Sequence, residues 1–402
     1  MSEWKEYRLY DLADKIAMGP FGSNIKVETF KESGIPIISG MHLHGIRLLD
    51  KDFNYISEEH AKRLSNSNVY RHDVIFTHAG TIGQVAYIPE TSKFERYIIS
   101  QRQFYLRCNP NKLDYKYITY FFKSPYGQFL IDSNTNQTGV PSIAQPATFL
   151  KNVDILLPPL PEQKAIAGVL SSLDDKIDLL HRQNKTLEAM AEVLFRQWFV
   201  EEMDWDGTLS EYVKVQGGYA FKSSDFKEAG SNGIIKITNI SMGSIDIDRT
   251  QFVDDVIVNN LDRIKFKINT GDFLIAMTGA EIGKIGIVEK TKKSIWVNQR
   301  VGRLIPMVPY GEYIGYLALK SPEGQDHIIN ACSGSAQENI SSSKLEEMRF
   351  FPYSTEKTES FGEEVRILFE KIVFNQSQIR TIEKLRDTLL PKLMSGEVRV
   401  KV

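Results

Sequence analysis

The residues best suited to gripping a ligand sit on glycine-flanked turns, and they come in two sets. The first set holds Ser23 and Lys26 after Gly19-Pro20-Phe21-Gly22, then His42, His44 and Arg47, then His78 and Thr81, Arg102, and finally Gln137 and Thr138. The second holds Lys222 and Ser223, Asn239 and Ser241, Thr278, Glu281 and Lys284, Arg300, and Gln337. A glycine-rich turn lets backbone N–H groups approach an anion, and adjacent Lys and Ser side chains can hold a phosphate. Arg102 and Arg300 have the reach for guanine or phosphate, with a structural salt bridge as the competing use. The sets match in position but differ in chemistry. That suits two sites reading different bases, against the plainer alternative of drifting surface.

Other patterns fail as catalysts. Gly279-Ala280-Glu281-Ile282-Gly283-Lys284 is one residue short of a phosphate loop and lacks the Ser or Thr that would hold magnesium. Its counterpart ends in Gln84, which favours a turn between strands. Asn109-Pro110-Asn111-Lys112 lacks the second Pro and the aromatic of the adenine methyltransferase motif, and no Gly-x-Gly cofactor loop accompanies it. His42-Leu43-His44 offers two imidazoles on one strand face, but no other His or Cys has convincing spacing for a metal. The expectation is a chain with no catalytic residue, no metal and no cofactor of its own.

The elements that carry these turns are written twice. Gly34-Ile35-Pro36-Ile37-Ile38-Ser39 returns as Gly233-Ile234-Ile235-Lys236-Ile237-Thr238, Asp73-Val74-Ile75-Phe76 as Asp272-Phe273-Leu274-Ile275, and Gln101-Arg102 as Gln299-Arg300. A repeat this long is a duplicated domain rather than a solenoid unit. The glycine turns align as Gly19-Pro20-Phe21-Gly22 with Gly217-Gly218-Tyr219-Ala220. The 402 residues suffice for about two to three domains. The net charge of −2 argues against non-specific coating of nucleic acid, so basic residues must be localised if the chain binds DNA. Cys108 and Cys332 occupy unmatched positions, and no apolar run approaches the ~20 residues of a membrane span. Its start has no signal-peptide pattern, so a soluble cytoplasmic protein with no membrane partner is expected.

Each module reads as strand-rich: short β-type runs such as Ile35–Ile38, Asp73–Thr77, Gln84–Ile88 and Gln103–Leu106, and their copies at 233–238, 272–277 and 284–288. Tyr115 to Phe129 reads as helix interrupted by Pro125, and a second helix is expected near Tyr313–Leu319. Each module ends in a long heptad run. The first places Leu170, Leu173, Ile177, Leu180, Asn184, Leu187, Ala191 and Leu194 on one seam. The second places Val365, Leu368, Ile372, Asn375, Ile379, Ile382, Arg386 and Leu389 there. The predicted helices, of about 30–35 residues and roughly 50 Å, pack antiparallel with no apolar seam left for solvent. In that register Asn184 faces Asn375, a polar pair suited to fixing orientation. Phe195, Trp198 and Phe199 are too many aromatics for an exposed helix end, so they plug against the second module or dock a partner.

The fold expected is α+β: two similar strand-rich domains separated by two long helices packed as an antiparallel coiled coil, with pseudo-two-fold symmetry. Its parts are residues 1–157, the helix of 158–203, residues 204–354, and the helix and tail of 355–402.

Two segments carry a family resemblance. Leu156-Leu157-Pro158-Pro159-Leu160-Pro161-Glu162-Gln163-Lys164-Ala165-Ile166 leads into the first helix, and Leu385-Arg386-Asp387-Thr388-Leu389-Leu390-Pro391-Lys392-Leu393-Met394-Ser395-Gly396-Glu397 closes the second. With the duplicated plan, the chain resembles the specificity subunit of type I restriction-modification systems over nearly its whole length. The resemblance implies two target recognition domains, each reading half of a split site on double-stranded DNA, with the helices setting the unread spacer. It implies a non-catalytic subunit that holds two DNA adenine methyltransferase subunits and, through them, restriction and translocase subunits. S-adenosylmethionine, ATP and magnesium would belong to those partners. Phe195, Trp198, Phe199 and Leu393 are the candidate docking residues. The second connector, Phe351-Pro352-Tyr353-Ser354-Thr355-Glu356-Lys357, departs from the pattern by lacking Pro-Leu-Pro-Glu-Gln. A protein-only scaffold and a recognition subunit of a non-type-I methyltransferase-nuclease system are the competing readings.

Overall fold

The computed structural model describes residues 3–22, 24–136, 139–201, 205–259, 261–332 and 339–401. Ser23, Gln137, Thr138 and Gln337 lie outside them. The chain divides into two compact units, Met1–Asp175 with Glu383–Val402, and Lys176–Ile382. Each long helix is therefore shared between them.

In the first unit, an antiparallel sheet runs in the order Ala13–Met18, Gln103–Cys108, Val74–Thr77, Val85–Tyr87. A second sheet is ordered Asn54–Ile56, Ile35–Ile38, Arg96–Ile99, Asn68–Tyr70, and its two middle strands run parallel. Strand alternation divides the core as a period of two requires. Val74, Phe76, Phe104 and Leu106 join a cluster with the helix Tyr115–Lys123, while Ile75 and Tyr105 face a cluster containing Ile38, Tyr97 and Ile99. Pro125 starts a new helix, Pro125–Ser133, with Ser124 accepting from Gly127 N at its N-cap.

The second unit repeats this plan. Val213–Gly217, Val301–Pro306, Phe273–Ala276 and Ile285–Ile287 are the first four strands of a six-stranded sheet. Asn232–Ile235 pairs parallel with Ser294–Val297 in a three-stranded sheet. The expected strand at 233–238 ends at Ile235, because Ile237–Asn239 forms a 3-10 turn. The helix expected near Tyr313–Leu319 spans Gly311–Lys320.

Leu160–Phe195 and Thr355–Ser395 are the long helices, of 36 and 41 residues. The Pro-Pro-Leu-Pro-Glu-Gln run is an anchor. Buried Gln163 donates to Pro158 O (2.9 Å) and Lys112 O (3.1 Å) and accepts from Asp114 N (2.9 Å). Buried Glu162 takes the guanidinium of Arg399 at 2.7 Å. The helices pair antiparallel in each unit: as numbers rise on one they fall on the other. In the first unit Glu162 meets Arg399 and Asp174 meets Arg386 at 2.8 Å. In the second, Ile177 and Leu180 share a cluster with Ile379 and Ile382, and Asn375 donates to Asn184 at 2.9 Å.

The expectation that no apolar seam is left for solvent is corrected. Leu179, Met190 and Val193 on the first helix and Ile367 and Phe374 on the second are 40–60% exposed. Leu179, Met190 and Val193 lie 11 and then 3 residues apart, a second stripe at heptad spacing beside the buried seam.

Candidate nucleic-acid interface

Backbone pairing gathers turns that are far apart in sequence, in the same way in both units. In the first, His78 N donates to Arg102 O (2.9 Å), and Ile143 N returns to His78 O (2.9 Å). In the second, Met277 N donates to Arg300 O (3.0 Å) and Ile340 N to Met277 O (3.0 Å). Thus His78, Thr81 and Arg102 stand on one rim, as do Thr278, Glu281, Lys284 and Arg300 in the other unit. The Gly279–Glu281 turn is followed by a strand rather than a helix, so it is the strand-linking turn its repeat implied.

The first unit opens here into a groove of about 820 Å³ near Phe21, with Lys15, Arg63, His78 and Arg102 in its wall and no Asp or Glu. Arg102 is exposed and has no ion pair among the described residues. Lys15 reaches Asn66 Oδ1 at 3.3 Å. Lys26 is exposed on the adjoining turn and Thr81 on the rim. Burial holds the His78 imidazole below its ordinary pKa, with the Arg102 charge acting the same way, and its Nε2 lies 3.1 Å from Gln101 O. His44 is exposed and approaches Gln84 Nε2 at 3.4 Å. Lys15 and Arg63 were missed in sequence because Lys15 is a lone cation in a short strand and Arg63 follows Lys62 at the end of a short charged helix; only the fold brings them beside Arg102.

The second unit's rim is more self-paired. Glu281 and Lys284 form an ion pair, and Arg300 Nη1 lies 3.5 Å from Asn339 Oδ1. Lys222, Ser223 and Ser241 are exposed. Ser241 adjoins a turn whose Gly243 O is bound by Gln376 at 3.1 Å.

Several expected ligand contacts are corrected to structural posts. His42 is 2% exposed, its Nδ1 accepts from Ser39 N at 2.9 Å, and its ring stacks on Phe53 at 4.4 Å. Burial lowers its pKa, so it stays neutral at its post. Asn239 occupies the same place in the repeat: its Oδ1 accepts from Lys236 N (2.9 Å), and its Nδ2 donates to Asp246 O (3.2 Å) and Arg249 O (2.9 Å). A His and an Asn here staple the same turn with different atoms. Arg47 is held by Tyr87 Oη (2.9 Å) and Asp175 (2.6 Å). Burial opposes its charge, but those partners outweigh it and leave the guanidinium pKa above normal. Arg47 thus braces the domain against its own long helix.

Three of the candidate docking residues, Phe195, Phe199 and Leu393, are likewise corrected. Phe195 and Phe199 are buried against Phe350 and Phe361 in the second unit's core, and Leu393 is buried in the first unit's core. Trp198 is half-buried, its ring 6.5 Å from that of Phe361. The aromatic helix end plugs its own domain. The turn alignment also shifts by one residue. Gly19 N bonds Gln103 O as Gly218 N bonds Val301 O, so Phe21 corresponds to Ala220, not Tyr219.

The type I restriction modification DNA specificity domain model matches residues 1–189 and 202–351. The chain belongs to that family. It is 27% identical over 303 residues to the type I restriction enzyme MjaVIII specificity subunit of Methanocaldococcus jannaschii, covering 70% of each chain. It is 20% identical to the HindI specificity subunit of Haemophilus influenzae, covering 99% of this chain and 100% of that one. Its fold is similar to the crystal structure of the type I restriction-modification S subunit from M. genitalium, with a TM-score of 0.61, 19% identity, and 98% and 96% of the two chains covered. Family membership selects a restriction-modification specificity subunit over a protein-only scaffold. Among the described residues, no helix is long and apolar enough to cross a membrane.

Proposed function

We propose that each unit reads one half of a bipartite double-stranded DNA site through its gathered turns, with the paired helices setting the unread spacer. The observation that carries this is the first unit's groove: three cations and a histidine with no carboxylate, on a chain whose net charge is −2. Phosphate contacts from Lys15, Lys26 and Arg63 would position the duplex, and Arg102 would reach a base edge. In the second unit Arg300, Thr278 and Lys222 take the corresponding parts. Ser23, Gln137, Thr138 and Gln337 lie close in sequence to these segments and belong to the proposed contact set.

The chain acts in the cytoplasm as a recognition subunit, and chemistry enters through its partners. Two adenine methyltransferase subunits, using S-adenosylmethionine, dock on the helices, and restriction subunits, using ATP and magnesium, join through them. The docking face is the exposed stripe of Leu179, Met190 and Val193, of which Leu179 lines a groove of about 470 Å³ that Lys371 of the second helix also lines. Such a stripe beside a helix seam accepts a further helix by knobs-into-holes packing.

The test is DNA binding by the complex with its methyltransferase. Sequence-selective binding that weakens steeply with salt is expected. Weak binding without sequence preference would contradict the reading.

A further inference from the structure

We propose that Phe21 is a base-stacking wedge, entering the base stack of the half-site read by the first unit while neighbouring cations hold the phosphates. The proposal rests on the DNA-recognition reading and deepens it by naming an apolar contact to the bases.

Phe21 is 86% exposed, more than any other large hydrophobic side chain described. A lone exposed apolar residue is ordinary, but three features set this one apart. Its presentation is pinned: Gly19 N donates to Gln103 O and Asn24 N to Phe21 O, both at 2.8 Å. A Cβ at Gly19 would stand 2.0 Å from Ser100 O, so the turn lies directly on the segment that carries Arg102. Its setting is cationic: the ring lines the groove with Lys15, Arg63 and Arg102, where no carboxylate would repel a nucleic acid.

The third feature comes from the other unit. The matching position is Ala220, and the aromatics flanking it are folded inward. The Tyr219 and Phe221 rings meet edge-on at 4.9 Å, Arg263 covers Tyr219 at 4.6 Å, and Phe221 is 7% exposed. The fold can bury aromatics on this turn, and it leaves Phe21 outside. An aromatic ring stacks on any base, and an apolar wedge parts a base step most easily where that step is flexible.

The test uses the assembled complex with its methyltransferase and duplexes carrying 2-aminopurine at successive positions of the recognised site, away from the adenines that the methyltransferase extrudes and their neighbours. Wild type and Phe21→Trp should raise fluorescence at one step of one half-site, and Phe21→Ala should abolish it. Affinity should fall about tenfold in Phe21→Ala and less in Phe21→Leu, with the other half-site silent throughout. Because the ring is almost wholly exposed, all variants should melt with wild type. Phe21→Ala with unchanged affinity and fluorescence would overturn the wedge alone. A wild-type complex that does not distinguish its site from scrambled DNA would overturn the recognition reading beneath it.

Discussion

The two units share a frame and differ at the rim. In the first unit the rim is open and cationic, with Phe21 and Arg102 projecting. In the second, the aromatics of the corresponding turn pack inward, Glu281 and Lys284 neutralise each other, and Arg300 leans on Asn339. The backbone bonds that gather the turns are the same in both. The duplication therefore copies the positions of side chains without copying their chemistry, which is what reading two unlike half-sites requires.

The helix anchors differ as sharply, and breaking them should give the largest effect. Glu162 is buried and depends on Arg399, whereas the second connector has Tyr353 N bound to the more exposed Glu211 at 2.9 Å. Arg399→Ala should lower stability more than Glu211→Ala, because it removes the cation paired with a buried carboxylate while Glu211 is exposed, as read by denaturant unfolding. Equal losses would erase the distinction between the two connectors.

Next in size are the posts. Asn239→Ala should cost about 2 kcal/mol, because the carbonyls of Asp246 and Arg249 lose their donor, while the recognised bases stay the same. A changed recognition sequence at preserved stability would return Asn239 to the ligand-contact set. Replacing Asn184 and Asn375 together by Leu should raise stability by about 1 kcal/mol and loosen helix orientation. Pairwise spin-label distances along the helices would detect the loosening, and unchanged orientation would remove the register role.

The smallest effect is electrostatic. Asp248 in the second unit pays a desolvation penalty, but Lys293 and Arg380 more than offset it and bring its pKa to about 2. Its folded pKa lies below the ordinary carboxylate value, so its contribution is complete above about pH 4 and fades as pH falls toward 2. Asp248→Asn should lower stability by no more than about 1 kcal/mol at pH 7, since the group is partly exposed, and by almost nothing near pH 2. A pH-independent difference would mean that packing, not charge, links Asp248 to Arg380.

Much of the frame was legible in sequence because it rests on periodicity. Alternating strands placed Val74 and Phe76 on one face and Ile75 on the other, and the heptad spacing put Asn184 opposite Asn375. The rim was legible only in part. A polar residue after a strand reads the same whether it faces solvent or turns back to staple its own backbone, as His42 and Asn239 do. Burial depends on partners distant in sequence: Phe350 and Phe361 claim Phe195 and Phe199, and Asp175 claims Arg47. Lys15 and Arg63 joined the groove for the same reason, through tertiary proximity that no local spacing announces.

The most direct test is sequencing of the methylated sites in a host that carries this chain with its methyltransferase, comparing wild type with Arg102→Gln and Arg300→Gln. Two separated base clusters are predicted, with Arg102→Gln relaxing one cluster only and Arg300→Gln only the other. A single continuous motif, or both substitutions altering the same bases, would contradict the division of reading between the two units.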